Sequence, residues 1–137
     1  EFIGSKRNIK FFNDSKSTNI DSVLTALESL ENNLLIIGGR EKHGGLKGIE
    51  KKKHKIIKAY TFGEAKKNFH NYLKKNSIKS AYFSNLETAF NSAVKDAFKL
   101  KKKVNILFSP ACSSYDQFTN FSERGKYFKN LFHKQIK

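Results

Sequence analysis

Three short stretches of this chain place hydroxyls, a carboxylate and ammonium groups directly after apolar runs. The most informative begins where Val104 to Phe108 breaks at Ser109-Pro110 into Ala-Cys-Ser-Ser-Tyr-Asp, with Gln-Phe-Thr-Asn-Phe-Ser-Glu-Arg-Gly-Lys126 following. Small side chains let a ligand approach the backbone, and the hydroxyls of Ser109, Ser113 and Ser114 can bond its polar groups. A strand end that opens into such a loop is where open α/β sheets bind ligands. The same residues also suit a tight strand-to-helix connection with capping serines, because Ser and Pro are ordinary loop formers.

Asn13-Asp-Ser-Lys-Ser-Thr-Asn19 follows a β-prone run and opens a helix. Free amides and a partial positive charge make helix N-termini hospitable to anions. Lys16 adds a mobile ammonium, and Asp14 can hold a metal-bound water, a ribose hydroxyl or the lysine itself. The plainer reading is capping by Thr18 or Asn19, with Lys16 in solvent. Gly38-Gly-Arg-Glu-Lys42 follows the apolar run Leu34 to Ile37. Its glycines permit a sharp turn with exposed amides, and Lys42 should point over the sheet edge, unless this is a plain β-to-α turn.

The elements that must position these residues follow from periodicity. Leu34 to Ile37 and Val104 to Phe108 are continuous apolar runs of the kind found in buried parallel strands. Ile9 to Phe12 is a β-prone run, paired with Phe2-Ile3 across a turn at Gly4-Ser5, and Ile56 to Phe62 and Ala81 to Phe83 are further strands. Helical spacing predicts helices over Asn19–Leu30, Glu64–Lys75, Leu86–Leu100 and Ser122–Ile136, with a short one over Leu46–Lys53. Strands alternating with helices at this interval define a three-layer, Rossmann-like α/β domain with a mainly parallel, roughly six-stranded sheet. No linker, repeat or low-complexity tract interrupts it, so residues 1–137 form one domain.

Composition narrows the function. At 137 residues and 38% hydrophobic, with 13 Phe, the chain can bury a proper core. No apolar run reaches the roughly 18 residues of a membrane span, so no membrane partner is expected. The chain lacks a signal-peptide core and begins in mid-pattern without Met, as a fragment would. A single cysteine, Cys112, precludes an internal disulfide and fits a cytoplasmic setting. Without a neighbouring histidine it reads as packing rather than as a nucleophile. His43, His54, His70 and His133 share no ligand spacing, so no metal site is expected within this domain.

The net charge of +15 invites a polyanion partner. Yet only three of the 27 basic residues are arginines (Arg7, Arg40, Arg124), whereas base-edge readers favour the arginine fork. The triplets Lys51–Lys53 and Lys101–Lys103 fall where helices end, complementing their dipoles. Solvated surface charge is the reading adopted, with nucleic acid set aside as a partner.

Residue identity sharpens the picture. The Asp14-Ser-Lys-Ser-Thr-Asn19, Gly38-Gly-Arg-Glu-Lys42 and Ser109-Pro-Ala-Cys-Ser-Ser114 segments, in this order, closely resemble motifs of the Mur ligases. Within that family the resemblance is to the branch adding D-glutamate to UDP-N-acetylmuramoyl-L-alanine in peptidoglycan synthesis. It covers essentially the whole chain but only the C-terminal domain of a three-domain enzyme. The resemblance implies that Asp14 and Lys16 lie near the nucleotide phosphates. It implies that Thr18, Lys42 and Ser114 contact the D-glutamate carboxylates, with Tyr115 and Phe121 at neighbouring contact positions. Two departures stand out: His43 precedes Gly44-Gly45 where the family often has Gly directly after the lysine, and Tyr115 replaces a common Leu.

A parent enzyme of this kind is an ATP-dependent ligase. ATP and Mg²⁺ are held mainly by a central domain and the UDP moiety by an N-terminal one. Its roles are in cell wall biogenesis, cell shape, division and the cell cycle. This chain has no Gly-rich Lys-Ser/Thr phosphate loop, contributes no catalytic group of its own and is expected to be inactive alone. The rival readings are a related ligase, such as a polyglutamate-adding enzyme, and a basic nucleic-acid-binding module.

Overall fold

The computed structural model describes residues 1–41, 45–114 and 117–136, with the side chain of Ile136 left aside. In chain order the elements are β1 (Phe2–Lys6), β2 (Ile9–Asn13), α1 (Ile20–Ser29) and β3 (Asn33–Gly38). A 3₁₀ segment (Ile49–Lys55) precedes β4 (Ile56–Phe62), α2 (Lys66–Lys75), β5 (Ser80–Phe83), α3 (Leu86–Leu100), β6 (Val104–Phe108) and α4 (Phe121–Ile136). Among the described residues they build a six-stranded sheet in the order β1-β2-β6-β3-β4-β5. Every neighbouring pair is parallel except the β1–β2 hairpin.

Side-chain alternation sorts the strands' residues into two cores. Phe11, Leu34, Ile36, Phe62, Ile106 and Phe108 face α3 and α4. Leu35, Ile37, Ala59 and Leu107 face α1, α2 and the 3₁₀ segment. β3 is buried along its whole length, which is why Leu34 to Ile37 is uninterruptedly apolar. The result is a helix–sheet–helix sandwich, the Rossmann-like architecture that the alternation of elements implies.

The helices start where local chemistry dictates. Asn19 caps α1 by accepting from the Ser22 amide at 3.0 Å, and Asn85 caps α3 by accepting from the Thr88 amide at 2.9 Å. Of the two cap candidates for α1, Asn19 takes the role.

Two local expectations are corrected. The hairpin turns at Arg7-Asn8, not at Gly4-Ser5, with Arg7 at φ 55°. Gly4 instead marks a register shift inside β1, where an added Cβ would lie 2.4 Å from the Phe132 ring. A glycine demanded by packing was thus misread as a turn residue. The short helix expected over Leu46–Lys53 is a 3₁₀ stretch that starts later, at Ile49, ends at Lys55 and is broken at Lys52.

A candidate ligand site at the carboxyl ends of β2, β6 and β3

Strand order makes the site. Inserting β6 between β2 and β3 places the last residues of all three side by side, with Asn13 opposite Phe108 and Phe108 opposite Ile36. The three segments singled out by their chemistry therefore emerge at one edge of the sheet, at the point where the strand order reverses.

Hydrogen bonds bind these segments to one another. The Asp14 amide donates to the Phe108 carbonyl at 2.7 Å, and the Ser109 hydroxyl donates to Asp14 Oδ2 at 2.8 Å. Arg40 and Ser113 form a small antiparallel bridge, amide to carbonyl in both directions at 3.0 and 3.2 Å. Gly39 sits beneath it at φ +129°, where an added Cβ would fall 2.4 Å from the Ser113 carbonyl oxygen. The glycine pair is thus required by a close approach of two backbones.

Lys16 is exposed, Thr18 half-buried, Ser114 buried and Phe121 exposed at the first residue of α4. The Ser114 carbonyl accepts from the amides of Gln117 and Phe118, folding the chain back toward α4. Lys42 and Tyr115 lie outside the described residues. A groove of about 530 Å³ runs from Asp14 between α1 and the hairpin, lined also by Phe2, Phe12, Ala26 and Leu30. A second cleft of about 390 Å³, near Arg7, Lys10 and Asn105, opens at the other end of the strands.

Burial raises the Asp14 carboxyl above its ordinary value, opposed by the Ser109 hydrogen bond. Among the described residues no three His, Cys, Asp or Glu side chains converge to hold a metal ion. Cys112 is fully buried, as packing requires.

Arg124 was missed by sequence reasoning. It is fully buried in the first turn of α4, donating from Nη2 to the Ser15 carbonyl at 2.6 Å and from Nη1 to the Cys112 carbonyl at 2.9 Å. Beside it, Asn13 Nδ2 donates to the Gly125 carbonyl at 3.3 Å. The available signal was scarcity: a chain that uses Lys almost everywhere keeps Arg here, directly before a helical Gly.

The architecture defines a doubly wound α/β domain whose three polar segments meet at a topological switch point. No family model matches the chain. Comparison with curated proteins finds UDP-N-acetylmuramoylalanine--D-glutamate ligases. The Rickettsia prowazekii protein is 49% identical over 96% of this chain. That of the Wolbachia of Brugia malayi is 42% identical over 98%, and that of Elusimicrobium minutum 41% identical over 96%. The chain spans 29%, 27% and 29% of the lengths of these three relatives. It is homologous to the C-terminal part of the D-glutamate-adding Mur ligases. Among the described residues no helix is long and apolar enough to cross a membrane.

Proposed function

We propose that residues 1–137 are the amino-acid-binding domain of a cytoplasmic, ATP-dependent ligase that joins D-glutamate to UDP-N-acetylmuramoyl-L-alanine. The observation that supports this reading most is the convergence of the Asp14–Thr18, Gly38–Arg40 and Ser109–Ser114 segments at one sheet edge. The relatives named for that reaction supply its substrates. Through peptidoglycan synthesis the enzyme serves cell shape and division.

In this reading the L-alanyl carboxylate attacks the γ-phosphorus of ATP, releasing ADP and leaving an acyl phosphate. The D-glutamate amine then attacks the acyl carbon, loses a proton, and inorganic phosphate departs. The domain's task is positional. Thr18, Lys42 and Ser114 hold the two carboxylates of the amino acid, with Tyr115 and Phe121 beside them. Asp14 and Lys16 face the phosphates. Holding the amine in line with the acyl phosphate lowers the barrier through proximity, and the Lys16 ammonium counters charge on the phosphates. In this reading ATP and Mg²⁺ belong to the central domain: the sequence holds no Gly-rich phosphate loop, and among the described residues no side chains cluster to hold a metal ion.

The test is ADP release by the full-length protein with ATP, Mg²⁺, UDP-N-acetylmuramoyl-L-alanine and a panel of amino acids. D-Glutamate alone should support turnover, and the 137-residue chain by itself should give none. Turnover with another amino acid favours a related ligase instead. Nucleic-acid binding at physiological salt without ligation favours the basic binding module.

A further inference from the structure

We propose that Arg124 is a positioning residue that couples the two halves of the site, so that a ligand on the Asp14–Thr18 segment and one on the Ser113–Ser114 segment sense each other. The proposal rests on the functional reading above and extends it to a residue that touches neither ligand.

One guanidinium reaches all three site loops. Its Nη2 holds the Ser15 carbonyl, just after β2, and its Nη1 holds the Cys112 carbonyl, just before the Ser113–Arg40 bridge. The same Nη1 lies 3.4 Å from where a Cβ on Gly39 would stand, so it also packs under the loop after β3. The Arg124 side chain lies near the Phe108 ring, its Cζ 5.8 Å from the ring centroid, and its backbone amide donates a hydrogen bond to the Asn120 carbonyl just before α4 at 3.2 Å.

A planar fork donates along fixed directions. The distance between the Ser15 and Cys112 carbonyls is therefore set by the guanidinium rather than left to two independent loops. One of these carbonyls lies beside the residues facing the phosphates, the other beside those facing the amino acid. When a ligand orders one loop, the fork transmits the constraint to the other, and a shared two-sided element of this kind is what links two binding equilibria. A lysine at 124 keeps the charge but has no fork, so it can hold one carbonyl well and the other poorly.

The experiment compares the full-length enzyme with its Arg124→Lys and Arg124→Gln variants by two readouts. Amide hydrogen exchange comes first, at Ser17, Arg40 and Phe118, whose amides donate to Asp14, Ser113 and Ser114. In both variants these three should exchange faster together, by roughly tenfold or more, while amides of β3 keep their protection. Second, a non-hydrolysable ATP analogue should tighten D-glutamate binding to the wild type by about tenfold, and this enhancement should vanish in Arg124→Lys. Loosening of one loop alone, no loosening, or a retained enhancement overturns the proposal. So does collapse of β3 protection in both variants, which would make Arg124 a requirement of the fold. Should the wild type fail to ligate D-glutamate, the functional reading falls, while the exchange pattern still decides whether Arg124 couples the loops.

Discussion

The Ser109 hydroxyl and the half-buried Asp14 carboxylate meet at 2.8 Å across the ends of β6 and β2, the hydrogen bond opposing the effect of burial. Burial raises its proton affinity in the folded state. Ionised Asp14 therefore costs the fold stability at neutral pH, and the cost is relieved as pH falls through the raised value. Asp14→Asn should accordingly raise the melting temperature at pH 7. The gain should shrink on acidification and be gone below 3.8, the ordinary value. Ligase activity of the full-length enzyme should fall in the same variant, a trade of function against stability. A variant no more stable than wild type at pH 7 would remove the burial argument.

Gly125→Ala should destabilise, although a helical Gly→Ala change usually gains about 1 kcal/mol. Its Cβ would lie 2.4 Å from the Oγ of buried Ser15. Overpacking of this kind costs about 1–3 kcal/mol. The Ser15→Ala/Gly125→Ala double variant should recover most of the loss, since only the hydroxyl is in the way. Urea denaturation of the four proteins in this cycle measures the coupling; simple additivity would refute the contact.

A second, purely structural polar cluster joins β4 to α3. Tyr60 and Lys58 both donate to Asp96 Oδ2, at 2.7 and 2.9 Å. Desolvation works to raise the Asp96 carboxyl, but the two hydrogen bonds and the Lys58 charge outweigh it and hold it below its ordinary value. A depressed carboxyl stabilises the fold above the unfolded value of 3.8, and this is lost as pH falls through the folded one. Asp96→Asn should cost about 1–2 kcal/mol at pH 7 by denaturant titration, and progressively less below pH 3.8. An equal loss at all pH values would show that packing, not charge, is responsible.

Lys42→Ala in the full-length enzyme should impair use of D-glutamate far more than folding. Deleting one side of a desolvated charge pair costs about 2–5 kcal/mol, roughly 30-fold to several-thousand-fold in kcat/KM. The melting temperature should barely move, and Lys42→Arg should rescue only partly because its geometry differs. Near-normal kcat/KM in Lys42→Ala would remove this residue from the site.

How much of this was legible in the sequence depended on the range of the interaction. Leu34–Ile37 and Val104–Phe108 announced themselves because a strand buried on both faces has no polar alternation. Asn19 marked the start of α1 through chemistry confined to three residues. Gly4 was misread because a glycine required by the Phe132 ring looks the same as one required by a turn. Arg124 escaped because a helical arginine ordinarily reads as solvated, and its partners, Ser15 and Cys112, become neighbours only once β6 lies between β2 and β3. The carboxyl-edge location of the three motifs was foreseeable; their mutual hydrogen bonding was not.

The Arg40–Ser113 bridge has a kinetic meaning. By stitching the exits of β3 and β6 together, it places part of the backbone ordering cost in folding and leaves less of it to ligand binding. Less backbone rearrangement between Arg40 and Ser113 then remains for a ligand's arrival, which favours fast association.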